Sequence, residues 1–369
     1  MPRGREVVEG ERPEIGIGPL NESEGGLRSH VLGIIAHSAY PVVPIRYSRL
    51  SPFWPGYHGV GYTVFSGKIR GLPDPYADVV AHVRLRRFRL LHTHGHPYWL
   101  SLFRAIDRER IPRIHSVHQI YEADEARSPR EATMRDEQNR RLKDTCARAR
   151  AVVTVSRALR DRVLESFGAD SVVIPNGIDV AACGRGDGTR FTSAFGIRPG
   201  FILYVGSALG VKRPELMCAI ARHVPDRSFV AIGPGLTETR LAEVAGRAPR
   251  NVRPLGPQPR GVVLDAMSGS ATVLLTSRRE GVSTVAMEGL ACGRPVVAPR
   301  GSGFEELLLP VDEGLLFDAG SLEEARASLE HATSSPETGA RGLAHVRAHY
   351  DWSRVAPMID RLYAETLAT

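Results

Sequence analysis

Residues 279–299, with the sequence REGVSTVAMEGLACGRPVVAP, carry the clearest indication of how this chain folds. Ser283 is suited to cap the start of a helix and Gly293 to end it, and Pro295 then opens a short apolar run. Another apolar run, residues 271–275, comes shortly before this stretch. The order is strand, loop, helix, strand, which is the repeating unit of a parallel sheet covered by helices.

The same alternation runs through most of the chain. Short apolar segments, typical of strands buried on both faces, separate longer segments with helical periodicity. The predicted strands are residues 14–19, 90–96, 114–118, 151–156, 171–175, 201–205, 228–232, 252–255, 271–275 and 295–298. The predicted helices are residues 27–39, 78–89, 130–149, 157–167, 214–223, 237–248, 260–268, 283–291, 321–333 and 336–350.

Two runs of this alternation meet at the glycine-rich residues 183–189, CGRGDGT, which we interpret as a linker. The predicted fold class is therefore α/β, with two Rossmann-like domains at residues 1–180 and 181–349. Ligands of such domains bind at the carboxyl ends of the parallel strands. We therefore expect the functional site in the cleft between the two domains.

Composition excludes several classes of protein. The chain has 369 residues, of which 42% are apolar and 24% charged, as in an ordinary soluble protein rather than a disordered or fibrous one. No run of 18 apolar residues predicts a membrane-spanning helix, and the polar N-terminus does not resemble a signal peptide. The four cysteines of the chain show no CxxC spacing, which argues against a zinc ribbon or a disulfide framework. We expect a cytoplasmic protein.

Positive charge is concentrated in the first half of the chain. The net charge is +7, and residues 1–180 contain 27 Lys and Arg against 21 Asp and Glu, whereas the remainder contains 21 against 20. Arginine runs lie at residues 84–89 and 140–150. They indicate either contact with anionic lipid or a phosphorylated ligand, or a solvated basic surface without a partner. Nucleic acid is not expected, because no RNA-recognition module or zinc finger is recognisable.

The loop before the predicted helix 283–291 has the chemistry of an anion site. It leaves the backbone N–H groups of Val282, Ser283 and Thr284 at a helix N-terminus, which suits a diphosphate. Glu280 lies just before the helix and Glu288 inside it, with seven residues between them. Carboxylates beside a phosphate site can accept hydrogen bonds from hydroxyls, such as those of a sugar and a ribose. The alternative is a capped surface helix whose acidic residues have no function.

This segment resembles the E-x7-E motif of the retaining glycosyltransferase family 4, whose members have the GT-B fold of two facing Rossmann-like domains. Its similarity to that family extends over nearly the whole chain, and the resemblance implies the GT-B fold with residues 350–369 forming a helix that packs back on the first domain. The matching segments are the glycine loop within 14–31, the cleft strands 90–94 and 116–121, VVTVS at 152–156, VIPNGID at 173–179, the start of the second domain at 201–216, and 350–363.

The resemblance implies roles for individual residues of the second domain. Lys212 corresponds to the lysine that neutralises the donor diphosphate, Glu280 would bind hydroxyls of the donor sugar, and Glu288 would bind the ribose. A fixed cation suits this reaction because the leaving nucleoside diphosphate gains negative charge as the glycosidic bond breaks. Ser207 stands where the family usually has an arginine, so either Arg213 takes over that role or Lys212 and backbone donors suffice. The residues of the donor loop are Gly281, Val282, Ser283 and Thr284.

In the first domain, the resemblance points to a glycine loop and a histidine. Gly25 and Gly26 offer a backbone without side chains, which a phosphate or an acceptor can approach closely. His118 matches the family's histidine near the transferred sugar, and it completes a predicted catalytic set with Lys212 and Glu280. An ordinary turn and a structural histidine are the alternative interpretations.

Other histidines surround this position. His92, His94 and His96 alternate along a predicted strand, and His115 and His118 follow on the next one. So many imidazoles would allow a zinc site, but no acidic residue is interleaved and the family has histidines here without metal. The chain also contains no Asp-x-Asp pair for Mg²⁺. We therefore expect no metal and no bound cofactor, and His94 is either a residue that lines the cleft or a structural histidine.

The expected function is that of a retaining glycosyltransferase of the hexosyltransferase type. It would move a sugar from a nucleoside-diphosphate sugar to an acceptor hydroxyl, in a same-face substitution in which the departing phosphate receives the acceptor proton. Its basic first half favours an acceptor that is lipid-linked or otherwise anionic, or a glycan, and weak peripheral contact with the inner face of a membrane. Two other classes stay open: a non-hydrolysing sugar-nucleotide epimerase of GT-B fold and a non-catalytic nucleotide-sugar-binding protein.

Overall fold

A computed structural model describes the fold of the chain at residues 12–20, 26–48, 62–65, 88–95, 110–122, 126, 128–208, 210–301 and 303–368. Contacts between Cα atoms divide the chain into two compact units. Unit 1 comprises the described residues up to Val155, then Arg160–Ile174 and the residues from Val355 onwards. Unit 2 comprises Ser156–Leu159 and Pro175–Arg354.

Unit 1 is built on a parallel sheet, in which seven strands are described. In chain order these are β1 (Ile15–Leu20), β2 (Val42–Ser48), β3 (Tyr62–Phe65), β4 (Leu90–His94), β5 (Arg113–Val117), β6 (Ala151–Thr154) and β7 (Val172–Val173). Their order across the sheet is β3-β2-β1-β4-β5-β6-β7. Every residue of β4 and β5 is buried, as expected for central strands covered on both faces.

Unit 2 contains a second parallel sheet of six described strands. They are β8 (Ile202–Val205), β9 (Phe229–Ile232), β10 (Val252–Gly256), β11 (Thr272–Leu274), β12 (Val296–Pro299) and β13 (Leu316–Phe317). The order across the sheet is β10-β9-β8-β11-β12-β13. The predicted α/β architecture with two parallel sheets is confirmed.

Helices connect these strands. In chain order, those described are α1 (Gly26–His37), α2 (Pro129–Ala147), α3 (Arg157–Phe167), α4 (Val180–Cys183), α5 (Gly188–Phe195), α6 (Pro214–His223), α7 (Glu238–Ala245), α8 (Arg260–Gly269), α9 (Thr284–Ala291), α10 (Phe304–Leu308), α11 (Leu322–Ser334), α12 (Pro336–His349) and α13 (Trp352–Ala368). The predicted helix 78–89 lies outside the described residues, apart from its last two. None of the described helices is both long and apolar enough to cross a membrane.

The unit β11–α9–β12 forms as residues 279–299 predict. The hydroxyl of Ser283 accepts a hydrogen bond from the backbone N–H of Ala286, and this bond caps α9. Gly293 follows the helix with a φ of 70°, a left-handed conformation that favours glycine. The cap and the terminator therefore act as their residue types indicate.

The glycine-rich residues 183–189 do not form an open linker, so that interpretation was wrong. Asp179 caps α4 and Asp187 caps α5, so the segment is helical at both ends. Gly188 packs against α8 so closely that a Cβ atom there would lie 2.5 Å from the Cα atom of Gly269. The glycines of this segment serve close backbone packing, which composition does not distinguish from flexibility.

The last helix, α13, is anchored to unit 1 from Val355 onwards. Asp360 accepts hydrogen bonds from the hydroxyl of Ser38 at 2.5 Å and from the backbone N–H of Ala39 at 2.9 Å. The phenol of Tyr363 is buried and shares a hydrogen bond of 2.7 Å with Nδ1 of His92. Polar as well as apolar contacts therefore hold this helix in place.

Candidate active site

An ion pair between Lys212 and Glu280 marks the donor-side candidate site in unit 2. Nζ of Lys212 donates a hydrogen bond of 2.5 Å to Oε1 of Glu280. The two residues follow β8 and β11, which are neighbouring strands of one parallel sheet, so their carboxyl ends lie side by side. The side chains are 31% and 14% exposed, so the pair is partly shielded from water and still accessible to a ligand.

Two buried hydroxyls fix the backbone that carries Lys212. The phenol of Tyr204 donates to the carbonyl oxygen of Lys212 at 3.0 Å, and Oγ1 of Thr276 lies 2.8 Å from the same oxygen and 2.9 Å from the carbonyl oxygen of Arg213. Burial raises the pKa of Tyr204, so its phenol stays protonated and remains a donor. Arg213 adopts a left-handed φ of 48°, which is costly for a residue with a side chain. This turn is held in one conformation by its surroundings.

The loop that carries Glu280 is held by other parts of unit 2. Gly303, with a φ of 90°, lies so close that a Cβ atom there would be 2.4 Å from the carbonyl oxygen of Gly281 and 2.6 Å from that of Glu280. On another side, Nδ2 of Asn176 donates a hydrogen bond of 3.4 Å to the carbonyl oxygen of Val282. Asn176 belongs to the VIPNGID segment, so the two most specific sequence motifs meet in the structure.

The N-terminus of α9 offers amides to an anion. Ser283 is buried and its hydroxyl occupies the N–H of Ala286, at 3.4 Å. The N–H groups of Thr284 and Val285 belong to the first turn, which a helix leaves without internal acceptors. Together with the positive end of the helix dipole, these amides suit a phosphate.

Glu288 forms a second ion pair, with Arg260. Nε and Nη2 of Arg260 donate to Oε1 of Glu288 at 3.0 Å and 2.7 Å. Glu288 is 17% exposed, whereas Arg260 is 53% exposed. Sequence reasoning missed Arg260, because the residues next to it in the sequence do not indicate a partner 28 residues away.

The remaining predicted donor-side residues lie in the same unit. Ser207 and Gly281 are half-buried, and Val282 is buried. The guanidinium of Arg213 lies near the carboxylate of Glu215, with Nε 3.9 Å from Oε1, and its side chain is 24% exposed. Arg213 therefore stands beside Lys212 in the chain but already faces an acidic residue.

In unit 1, a histidine cluster gathers around His118. One ring nitrogen each from His30, His94 and His118 lies within 4.8 Å of the others, a spacing that could accommodate a metal ion. Nδ1 of His94 is 3.2 Å from Nε2 of His118, and His92 stacks against His94 at 4.2 Å between ring centroids. Of the predicted residues, Gly26 opens α1 and is exposed. Gly25 and His96 lie outside the described residues.

Burial keeps His30, His92 and His94 neutral. Burial and the neighbouring imidazoles lower the pKa of His30 and His94 well below the usual 6.5, and that of His92 to about 3. Neutral imidazoles can donate a hydrogen bond from one nitrogen and accept one at the other. The cluster therefore suits polar, uncharged partners such as hydroxyls. Sequence reasoning missed His30, which the turn of α1 brings beside two histidines from other elements.

Two arginines of the basic run 140–150 pair with an acidic residue of the same helix. Arg140 and Arg141 of α2 both pair with Glu137, at 2.7 Å each. Of the run 84–89, only Phe88 and Arg89 are described, and Arg89 is exposed. For α2, the solvated basic surface agrees better with these contacts than a dedicated anion site does.

Comparisons with known proteins find matches along most of the chain. The profile of Glycosyltransferase Family 4 matches residues 28–182, and that of Glycosyl transferases group 1 matches residues 189–341. A curated relative, D-inositol 3-phosphate glycosyltransferase of Mycolicibacterium smegmatis, is 26% identical over 306 residues, which are 76% of this chain and 68% of that protein.

Solved structures share the fold. HepE of Anabaena, solved in complex with UDP and glucose, has a TM-score of 0.75 at 16% identity, and the match covers 97% of this chain and 100% of that one. Sucrose-phosphate synthase from Thermosynechococcus elongatus has a TM-score of 0.74 at 18% identity, with the same coverage. The two profile matches together span most of the chain, and their order is the order of the two parallel sheets. This chain therefore belongs to the glycosyltransferases of family 4 type, with the GT-B fold.

Proposed function

We propose that this glycosyltransferase moves a sugar from a nucleoside-diphosphate sugar to an acceptor hydroxyl with retention of the anomeric configuration. The observation that carries the proposal is the Lys212–Glu280 pair: the two residues follow neighbouring strands, and Glu280 comes just before the N-terminus of α9. A cation, the backbone amides of a helix N-terminus and a carboxylate thus all follow the carboxyl ends of strands in one sheet. A nucleoside-diphosphate sugar needs these three kinds of partner.

Lys212 would neutralise the diphosphate. An ammonium group has three N–H donors, so it can keep its bond to Glu280 while it donates to phosphate oxygens. Negative charge grows on the diphosphate as the bond to the sugar breaks, and a cation held in place stabilises that charge most in the transition state. Glu280 would accept hydrogen bonds from the sugar hydroxyls through its remaining lone pairs.

The substitution would take place on one face of the sugar. The bond from C1 to the diphosphate oxygen breaks, the bond from C1 to the acceptor oxygen forms, and the acceptor proton passes to the departing phosphate oxygen. His118 and the neutral imidazoles beside it would bind sugar or acceptor hydroxyls without adding charge. No metal is required in this scheme, because Lys212 and the amides of α9 carry the diphosphate.

We further propose that the acceptor carries a phosphate group. The relative from Mycolicibacterium smegmatis is named for D-inositol 3-phosphate. In this chain the cationic excess lies in residues 1–180, with 27 Lys and Arg against 21 Asp and Glu. A phosphorylated polyol and a phospholipid head group share this chemistry. Transfer assays with D-inositol 3-phosphate and with anionic liposomes distinguish the two sources, and unphosphorylated inositol serves as the control.

A thermal-shift panel of UDP-, GDP- and ADP-sugars tests the donor proposal. A ligand at 100 times its Kd stabilises the folded state by about 2.7 kcal/mol, which is readily measured. We expect one nucleotide to stabilise the wild type and Lys212→Ala to reduce that shift strongly. Lys143→Ala, which removes an exposed lysine of α2, is the matched control and should leave the shift unchanged. If no nucleotide sugar stabilises the wild type, the donor proposal is wrong.

A further inference from the structure

We propose that Arg260 is a positioning residue that holds the carboxylate of Glu288 for the ribose hydroxyls of the donor nucleotide. The inference rests on the proposed function, because Glu288 can bind a ribose only if the donor is a nucleotide sugar. It adds a residue of this chain that neither the E-x7-E motif nor its spacing indicates.

The geometry leaves one oxygen of Glu288 for a ligand. Nε and Nη2 of Arg260 both donate to Oε1, at 3.0 Å and 2.7 Å. Within the described ranges, no hydrogen bond of the protein reaches Oε2 of Glu288. A carboxylate oxygen can accept two hydrogen bonds. One oxygen of Glu288 is therefore anchored, and the other is available to a pair of neighbouring hydroxyls.

The anchoring restricts how the carboxylate can turn. Glu288 is in the second turn of α9, and Arg260 is the first residue of α8, so two separate helices define the pair. Two N–H groups of one planar guanidinium converge on a single oxygen, which limits rotation about the last torsion of Glu288. A side chain that is already ordered loses less conformational entropy when the ligand binds.

The surroundings make this pair more than a loose surface contact. The carboxylate is shielded, with 17% of the Glu288 side chain exposed, although Arg260 is 53% exposed and water screens the pair from that side. Burial opposes the charged form of Arg260, but the charge of Glu288 and its hydrogen bonds outweigh that effect and raise the pKa of the guanidinium. The guanidinium of Arg260 thus keeps its positive charge.

The test compares each nucleotide with its analogue that lacks the ribose hydroxyls. The probe is whichever of UDP, GDP and ADP binds best, together with its 2′,3′-dideoxy counterpart, titrated calorimetrically into the full chain. A hydrogen bond to a charged acceptor is worth roughly 1.5 kcal/mol or more, so the wild type should prefer the ribonucleotide about tenfold or more. Glu288→Ala should remove that preference.

The variant Arg260→Gln should reduce the preference to within about threefold, while the affinity for the dideoxy nucleotide stays nearly constant. Arg260→Lys, which keeps the charge but not the planar pair of donors, should retain part of the preference. Arg240→Gln is the matched control, because it breaks the exposed pair of Arg240 with Glu243 in the same unit. It should behave as the wild type.

Two results would overturn the role of Arg260 alone: a full ribose preference in Arg260→Gln, or equal weakening of both nucleotides by that variant. Equal affinity of the wild type for both nucleotides would remove the ribose role of Glu288, and the inference with it. A wild type that binds none of the three nucleotides would overturn the donor proposal itself. The failure of the inference is thereby distinguished from the failure of the proposed function.

Discussion

Lys212 is fixed at its backbone and left adjustable at its ammonium group. Its carbonyl oxygen accepts two buried hydroxyl hydrogen bonds, whereas Nζ meets the partly exposed Glu280. This arrangement places the charge with little freedom at its base and still lets the last atoms follow a phosphate. It is the kind of preorganisation that favours a transition state in which charge moves onto the leaving group.

Lys212→Ala and Glu280→Ala should each lower the rate of transfer by about 10²-fold or more, the scale found when one donor to a developing anion is removed. The fold should persist, because both side chains lie at a partly open site rather than in a core. Steady-state transfer at saturating donor measures the loss, and melting curves check the fold. Lys143→Ala supplies the matched control, and near-wild-type turnover in either site variant would refute the assignment.

The sequence sufficed to predict the structure of a contiguous motif, but it did not predict which distant residues contact that motif. Residues 279–299 sufficed to predict the loop of Glu280, the cap at Ser283 and the helical position of Glu288, because loop, cap and spacing lie together there. Arg260 could not be predicted, since its partner is 28 residues away and no local pattern encodes the contact. The same holds for Tyr363, which reaches His92 across 271 residues.

At the level of elements, one glycine turn supports the loop of Glu280. Gly303 precedes α10 with a φ of 90° and lies against the carbonyl groups of Glu280 and Gly281. Any other residue at this position would need the same positive φ and would push a Cβ atom into that backbone. Gly303 therefore connects the short helix α10, which sequence patterns do not reveal, to the loop that carries Glu280.

Gly303→Ala should destabilise the protein by about 1–3 kcal/mol, because it combines backbone strain with a steric clash. It should also lower transfer, since the clash falls on the backbone of Glu280 and Gly281 and would disturb the contact of Glu280 with Lys212. Urea unfolding and transfer rates measure the two effects. Gly261→Ala is the control, because a Cβ atom there has no contact within 4 Å, and a helical alanine should be neutral or slightly stabilising. Equal behaviour of the two variants would contradict this role for Gly303.

Elements were predictable where periodicity and end signals coincide. Helices α3 and α6 occupy the predicted residues 157–167 and 214–223. Short elements were not predictable: α10 has five residues and β13 has two, too few to show a period. The linker interpretation of residues 183–189 was wrong for another reason. The same glycines that permit a flexible backbone also permit close packing.

For the whole molecule, buried histidines of unit 1 make the free energy of unfolding depend on pH. Three buried histidines (His30, His92 and His94) have a lowered pKa in the folded protein, which for His92 is about 3. In the unfolded chain each takes up a proton near pH 6.5. The unfolded state therefore binds more protons below that pH, and the free energy of unfolding falls as the pH drops from 6.5.

Each such histidine should contribute a slope of about 1.4 kcal/mol per pH unit between 6.5 and its folded pKa. Urea unfolding at pH 7.5, 6.5 and 5.5 measures the slope. His94→Gln removes one of these histidines and should make the slope shallower by the contribution of one proton. His37→Gln, at an exposed position of α1, should leave the slope unchanged. Stability that is constant from pH 7.5 to 5.5 would show that these imidazoles are not kept neutral.

Transfer should survive EDTA. In the proposed site the diphosphate would have Lys212 and the amides of α9 as partners, and the chain contains no Asp-x-Asp pair. Dialysis against chelator, followed by the transfer assay with and without added zinc or magnesium, measures this. If chelation abolishes transfer and zinc alone restores it, then His30, His94 and His118, whose ring nitrogens lie within 4.8 Å, form a working metal site.

The most direct measurement is a time course of NMR spectra of the wild type with an α-linked nucleotide sugar and D-inositol 3-phosphate. We expect the donor signals to decline while free nucleoside diphosphate and a product with an α anomeric signal grow together. Lys212→Ala should show neither within the same time. A β-linked product would contradict retention, and a donor that is epimerised without any transfer, or left unchanged with every phosphorylated acceptor tried, would contradict the proposed glycosyl transfer.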